Sequence, residues 1–223
     1  MTRWITPQQV GEEIISRAED FTELYEVKAN AEWAHPVLGG AYDEARRLRL
    51  LMEHAGWHVG WPYCAAFVEA MWRATYAWFG APAALLAKIS ARLTPSVMQS
   101  FSNWAGEITR VPQPGAIVFM QLGDGWRGHA GLVAEVGFYH VATIEGNTSP
   151  DPDNPDADRD GDGIFRRVRA LRFTPSSGLW LRGFLNPIGF RAAGEPEIRP
   201  DHLADWEPEW GGPNEAGAYE QIN

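Results

Sequence analysis

An α+β fold is expected from the order in which apolar residues recur along the chain. Up to about residue 106 they fall at helical spacing. From residue 115 they run in short blocks or alternate in the manner of strands. Cap residues followed by proline open two of the helical segments, and Gly/Pro clusters mark the change of period. These features predict N-terminal helices packed on a C-terminal antiparallel sheet of about five strands.

Thr6-Pro7-Gln8-Gln9 has the form of a helix start, with Thr as N-cap, Pro at the first helical position and Gln completing a capping box. Val10, Ile14, Ile15 and Ala18 then carry the helical period to about residue 19. Residues 30–41, with Pro36 and Gly39-Gly40, read as loop. A second helix is expected over 42–55, with Leu48, Leu51 and Met52 on its buried face. A third, strongly apolar one covers 64–79 and begins at Cys64, and another covers 82–92. Thr94-Pro95 repeats the cap-plus-proline signature before a short helix that closes near Gly106.

"GAIVFM" (115–120) then reads as a buried strand after Pro112 and Pro114. "HAGLVAEV" (129–136) and "HVATIEGN" (140–147) form strands joined by the tight connection Gly137-Phe138-Tyr139, a hairpin signal. "GIFRRVRALRF" (163–173) and "LWLRGFL" (179–185) read as a second hairpin around Pro175-Ser176-Ser177-Gly178. Residues 188–223, rich in Gly, Pro, Glu and Trp without period, read as an acidic, poorly ordered tail.

Of the 223 residues, 45% are apolar and eleven are Trp, enough for a sizeable core. No run approaches the roughly 18 apolar residues that cross a bilayer. "MTRWITPQQVGEEI" has no continuous apolar region of the secretory type, so a chain made in the cytoplasm without a Sec signal is expected. The net charge of −10 is concentrated. Residues 191–223 carry −6 and residues 150–162 carry −5, which leaves the body at about +1. No basic patch stands out, which argues against nucleic acid as a partner. One cysteine excludes an internal disulfide and any cysteine-based metal cluster.

That cysteine, Cys64, sits where a helix begins. It is either a small buried hydrophobe, the commoner fate of a free cysteine, or a nucleophile activated by the unpaired N–H groups of the helix start and a nearby base. The hairpin supplies a base. Centred on residue 137, it sets His129 opposite Glu145, and centred on 138, opposite Asn147. Glu145 and Asn147 are two apart and share a face, so either register gives His129 a polar partner. Leu132, Ala134 and Val136 fall on the other face. A base with an orienting partner is what a nucleophilic cysteine needs.

"PYCAAFVEAMW", "PQPGAIVFMQ", "GHAGLVAEV", "ATIEGNTS" and "GDGIFRRVR", in this order and spacing, resemble the CHAP-type cysteine amidase/endopeptidase domains, related to the NlpC/P60 peptidases of the papain-like clan. The resemblance spans about residues 8–187 and implies a papain-like fold. It implies Cys64 as nucleophile, His129 as general base and Glu145 as the group that orients the imidazole, with Asn147 as an additional polar partner. It leaves open which of the last two holds the third position. The Cys64 backbone N–H is a natural oxyanion donor at a helix start. Tyr63, with Trp61 and Gly128, is placed along the oxyanion and substrate side of the cleft.

The expected organisation is a hydrolase domain over 1–187, containing a helical insertion at 80–110 that covers one side of the cleft, followed by the tail 188–223. The implied activity is cleavage of an amide in the peptide of peptidoglycan, by a monomer acting at the cell wall after release or export, as in a phage lysin. A cysteine amidase or peptidase acting on another substrate is an alternative, and a catalytically silent wall-binding or phage structural module is another.

No cofactor and no metal are expected. Residues 156–167 place Asp156, Asp158, Asp160 and Gly161 as an EF-hand would, but Arg167 stands where the bidentate Glu belongs, so a solvated turn is the better reading. The segment before Cys64 lacks an Asp-x-Asp, so no calcium site is carried over from the family. His54 and His58 lack the Glu of a zincin motif and read as loop residues beside the cleft. Trp206 and Trp210 in the tail read as part of a solubilising segment.

Overall fold

A computed structural model describes residues 2–28, 30–37, 43–149 and 163–193. The acidic loop at 151–162, with the EF-hand-like run it opens, and the tail with Trp206 and Trp210 lie outside the described residues. The elements in chain order are β1 (Trp4–Ile5), α1 (Pro7–Glu19), β2 (Tyr25–Lys28), β3 (Glu32–Ala34), α2 (Asp43–His54), α3 (Cys64–Trp78), α4 (Ala83–Arg92), α5 (Val97–Asn103), β4 (Ile117–Leu122), β5 (Gly128–Val136), β6 (His140–Thr148), β7 (Gly163–Ala170), β8 (Leu179–Leu185) and β9 (Phe190–Arg191).

The five helices fall where the period places them, although α5 is capped by Ser96 and not by Thr94, with Pro95 left before the cap. The Thr6 hydroxyl accepts from the Gln9 backbone N–H at 3.2 Å, and the Gln9 side chain accepts from the Thr6 N–H at 3.0 Å, so the capping box closes. α3 is apolar around most of its circumference, and such a helix must be covered on all sides. It is: α1, α2 and α4 pack on it, and β5 and β6 pass beneath. Phe67, Met71, Trp72 and Tyr76 are wholly buried in the resulting core. The Trp72 indole donates to the Gly115 carbonyl at 3.1 Å, which satisfies its one polar atom and ties α3 to the start of β4.

The sheet is antiparallel with seven strands, in the order β3-β2-β7-β6-β5-β4-β8. The five expected strands form its centre and one edge. Two differences follow from physics the pattern does not carry. First, residues 163–170 and 179–185 do not pair with one another as a hairpin. β7 pairs with β6, while β8 lies at the far edge beside β4. The connecting residues cross the sheet's outer face, where Leu171 and Phe173 pack on a second apolar cluster of Val118, Met120, Val133, Val141, Leu181 and Phe184. The Pro-Ser-Ser-Gly turn therefore ends a crossing rather than closing a hairpin. Second, residues 32–34, read as loop, form β3. The single buried side chain Trp33 anchors this short edge strand, and three residues are too few to show a period.

Residues 188–193 also pack onto the body. β9 pairs with β1 and Phe190 is buried against Tyr76. A bulge between Val133 and Glu135 turns Val136 out to solvent, 45% exposed, and not onto the face of Leu132 and Ala134. His54 ends α2 rather than lying in a loop, its Nδ1 against the Leu50 carbonyl at 2.9 Å. His58 stacks edge-on against Trp61. No helix among the described residues is long and apolar enough to cross a membrane.

Candidate active site

Cys64 is the first residue of α3, and Tyr63 is its N-cap. The segment 56–63 holds Gly56 and Gly60 at positive φ, a backbone that brings the chain sharply into the helix. The β5–β6 ladder ends at Leu132 opposite Ile144. Beyond that pair the Ala130 N–H turns to the Cys64 sulfur, as does the Ala65 N–H of the helix's first turn. The nucleophile candidate thus sits where two strands part and a helix starts.

The Leu132–Ile144 and Val133–Thr143 pairs have the register that, carried on past the end of the ladder, sets Gly131 toward Glu145 and His129 toward Asn147. The side chains nevertheless bring His129 and Glu145 together. The His129 Nε2–H donates to Glu145 Oε2 at 2.9 Å. Glu145 reaches diagonally across its neighbour strand, over Gly131, where a Cβ would stand 2.5 Å from Glu145 Cγ. Glycine at 131 is what makes that diagonal path open. With Nε2 committed to Glu145, Nδ1 is the ring atom left to face Cys64, whose thiol hydrogen-bonds the imidazole.

Asn147 takes a different position. It sits in a bulge of β6 with φ 56, a left-handed backbone that Asn tolerates better than most residues. It is buried, makes no hydrogen bond to His129, and its Oδ1 has no partner among the described residues. Tyr63 is also buried. Its ring is edge-on to Trp33, and the Glu26 carboxylate and the Asn147 backbone N–H lie around its hydroxyl. Burial, reinforced by Glu26, holds its pKa well above the ordinary value. Trp61 lies at the surface, 39% exposed, three residues before Cys64. Gly128 pairs with Gln121, and a Cβ there would strike Val97 and Met98 of α5. The helices of residues 80–110 therefore reach the strand that carries His129.

Two further residues belong to the cluster and were not singled out in the sequence. The Thr143 hydroxyl donates to Glu145 Oε1 at 2.5 Å. The Arg169 guanidinium grips both carboxylate oxygens, Nε to Oε1 at 2.9 Å and Nη2 to Oε2 at 2.5 Å. Thr143 was within reach of the alternation, two residues from Glu145 on the same face. Arg169 was not, because its place depends on a β6–β7 register that lies across the acidic loop.

Burial sets the electrostatics and partners override it. Burial pushes the Cys64 thiol up, but the adjacent imidazolium and the two backbone N–H groups more than offset this and lower it. Burial likewise disfavours charge on His129, and the Cys64 thiolate and Glu145 outweigh it, raising its pKa to about 10. Glu145 has no exposure at all, yet Arg169 first and His129 second hold its carboxyl well below the usual carboxylate range. The directions of these shifts favour a thiolate–imidazolium pair backed by an ionised carboxylate.

Fold and cluster together define an α+β protein with the layout of a cysteine hydrolase, a thiol at a helix N-terminus facing a strand-borne histidine. The CHAP-domain family model matches residues 54–147, and the chain carries a CHAP domain there, a papain-like cysteine amidase or peptidase domain of peptidoglycan hydrolases. The match begins at the last residue of α2 and ends at Asn147, so it contains Cys64, His129 and Glu145 and excludes Arg169. Neither the curated proteins nor the solved structures hold a match to the chain.

Proposed function

We propose that this protein is a cysteine hydrolase that cleaves an amide bond in the peptide part of peptidoglycan, in the manner of a lysin. The observation that carries the reading is the buried contact of Cys64 with His129, itself held by Glu145 at 2.9 Å. The family match supports the substrate class.

The Cys64 thiolate attacks the carbonyl carbon, forming a C–S bond. As the tetrahedral intermediate collapses, the C–N bond breaks and the His129 imidazolium gives its proton to the leaving amine. Neutral His129 then takes a proton from water. The hydroxide attacks the thioester, the C–S bond breaks, and the acid product leaves with the thiolate–imidazolium pair restored. Glu145 keeps the ring oriented and stabilises its positive charge throughout. Tyr63 and Asn147 are buried, and Trp61, three residues before Cys64, keeps an exposed ring available to substrate.

Clearing of peptidoglycan embedded in a gel tests this. Wild type is expected to clear and Cys64→Ala to fail, with equal folding by circular dichroism. Clearing by both would overturn the cysteine mechanism. Clearing by neither, while an amide of another class is cleaved in a Cys64-dependent way, would leave the mechanism and overturn the substrate. Mass spectrometry of released fragments then distinguishes amidase from endopeptidase cleavage. The activity profile is expected to hold through neutral pH and to fall on the alkaline side near pH 10, as His129 loses its proton.

A further inference from the structure

Arg169 lies on β7, opposite Val141, outside the matched segment, and its fork is closed on both oxygens of Glu145. Its side chain is 13% exposed, while Cys64, His129 and Glu145 are 7%, 3% and 0% exposed. Four groups of alternating sign therefore stand in sequence in a nearly dry site: guanidinium, carboxylate, imidazolium, thiolate. Their charges sum to zero.

Other charged or titratable groups nearby, among the described residues, are directed elsewhere. Arg167, on the same face of β7, donates to the Ser149 carbonyl at 2.6 Å. Glu26 acts on the Tyr63 hydroxyl. Thr143 adds a hydrogen bond to Glu145 but no charge.

Without Arg169 the remaining three groups would carry a net negative charge in a buried place. Such a charge is removed most readily by uptake of a proton. A proton on Glu145 would abolish the acceptor that orients His129, and a proton on Cys64 would abolish the thiolate. We propose that Arg169 is a positioning residue that sets the charge balance of the site, keeping Glu145 ionised so that His129 stays protonated and Cys64 stays a thiolate. This rests on the reading of Cys64 and His129 as the reacting pair.

The pH dependence of Cys64 alkylation by iodoacetamide tests it, since Cys64 is the chain's one thiol and no substrate is needed. In Arg169→Met the midpoint for thiolate formation is expected to rise by about one pH unit or more, the usual effect of losing a neighbouring opposite charge. Alkylation at a pH below the wild-type midpoint should slow by about tenfold for each unit of that shift. Arg169→Lys, which keeps the charge and loses the fork, should recover most of the midpoint. Glu145→Gln removes the carboxylate that Arg169 holds ionised, so it should raise the midpoint as Arg169→Met does, and the two changes together should add little to either alone.

A wild-type midpoint in Arg169→Met would overturn the proposal. So would a double variant whose midpoint shift is the full sum of the two single shifts, since Arg169 would then act by a route other than Glu145. If Arg169→Met fails to fold, Arg169→Gln, neutral but still a hydrogen-bond donor, carries the same expectation. Wall clearing by Cys64→Ala would sink the hydrolase reading instead, and the alkylation profiles would still decide the role of Arg169.

Discussion

Glu145 and Glu69 are both buried carboxylates, 0% and 2% exposed, and the protein treats them in opposite ways. Glu69, on α3 one turn beyond Cys64, has a single long contact, 3.4 Å from Arg73, and its Oε2 makes no hydrogen bond among the described residues. Burial dominates and pushes its pKa up to about 8, despite Arg73. Glu145 has His129, Thr143 and both arms of Arg169, and stays ionised. The difference lies in partners, not in depth. A buried carboxylate becomes a working anion only where donors close around it.

The sharpest way to break this comparison is to remove each carboxylate. Glu145→Ala is expected to reduce the hydrolysis rate by about 10²–10⁴, the range associated with losing the support of a general acid–base histidine. It should also lower stability by roughly 3–5 kcal/mol, because the Arg169 guanidinium loses the carboxylate it grips. Glu69→Gln should leave kcat/KM within about twofold of wild type, since neutral Gln matches the form Glu69 already holds at neutral pH by this account. A comparable rate loss in both would remove the distinction.

A subtler change attacks the path between the strands. Gly131→Ala puts a methyl 2.5 Å from Glu145 Cγ. The carboxylate must shift, and kcat/KM is expected to fall by about tenfold to a hundredfold while circular dichroism stays unchanged, in line with the cost of small misplacements at a reacting centre. Wild-type kinetics would mean that Glu145 reaches His129 by another route.

Glu69 has its own signature in stability against pH. Its folded pKa, about 8, lies above its ordinary 4.5. The stability it contributes is whole below about pH 4.5, is lost as pH rises through the interval to about 8, and does not return above it. Thermal melts of Glu69→Gln and wild type should therefore agree near pH 4 and diverge by pH 9. Gln is then expected to be ahead by about 3 °C or more, the shift that on the order of 1 kcal/mol produces in a chain of this size.

The smallest effect belongs at the surface. Glu107 is held low by a hydrogen bond from Lys88 and by Arg92, and all three side chains are well exposed. Glu107→Ala should move the melting temperature by no more than about 1–2 °C at physiological salt.

The helices and the central strands were legible because their apolar periods are clear and, in α1, the cap is explicit. Thr6, Pro7 and Gln9 announce α1, and the unbroken apolar run after Cys64 announces a helix covered on all sides. The alternation in 129–147 put His129, Gly131, Glu145 and Asn147 on one face, which is why the cluster could be approached from sequence. It left the partner of His129 open. Register alone favours Asn147, and the choice of Glu145 depends on side-chain length and on the missing Cβ at 131. Strand order beyond neighbours was hidden, since β7 and β8 are separated in space by three strands that carry the same alternation. Arg169 was hidden with it, one arginine among several in "GIFRRVRA" until β6 gives it a neighbour.

The imidazole of His129 stands at the centre of this account, between the thiol and the ionised carboxylate, and its protonation state can be read directly by NMR of ring-labelled histidine. The expected result is a doubly protonated ring through pH 8 that titrates near pH 10, and whose midpoint falls in Cys64→Ala. A His129 ring that is neutral by pH 7.5 and unaffected by loss of Cys64 would contradict it.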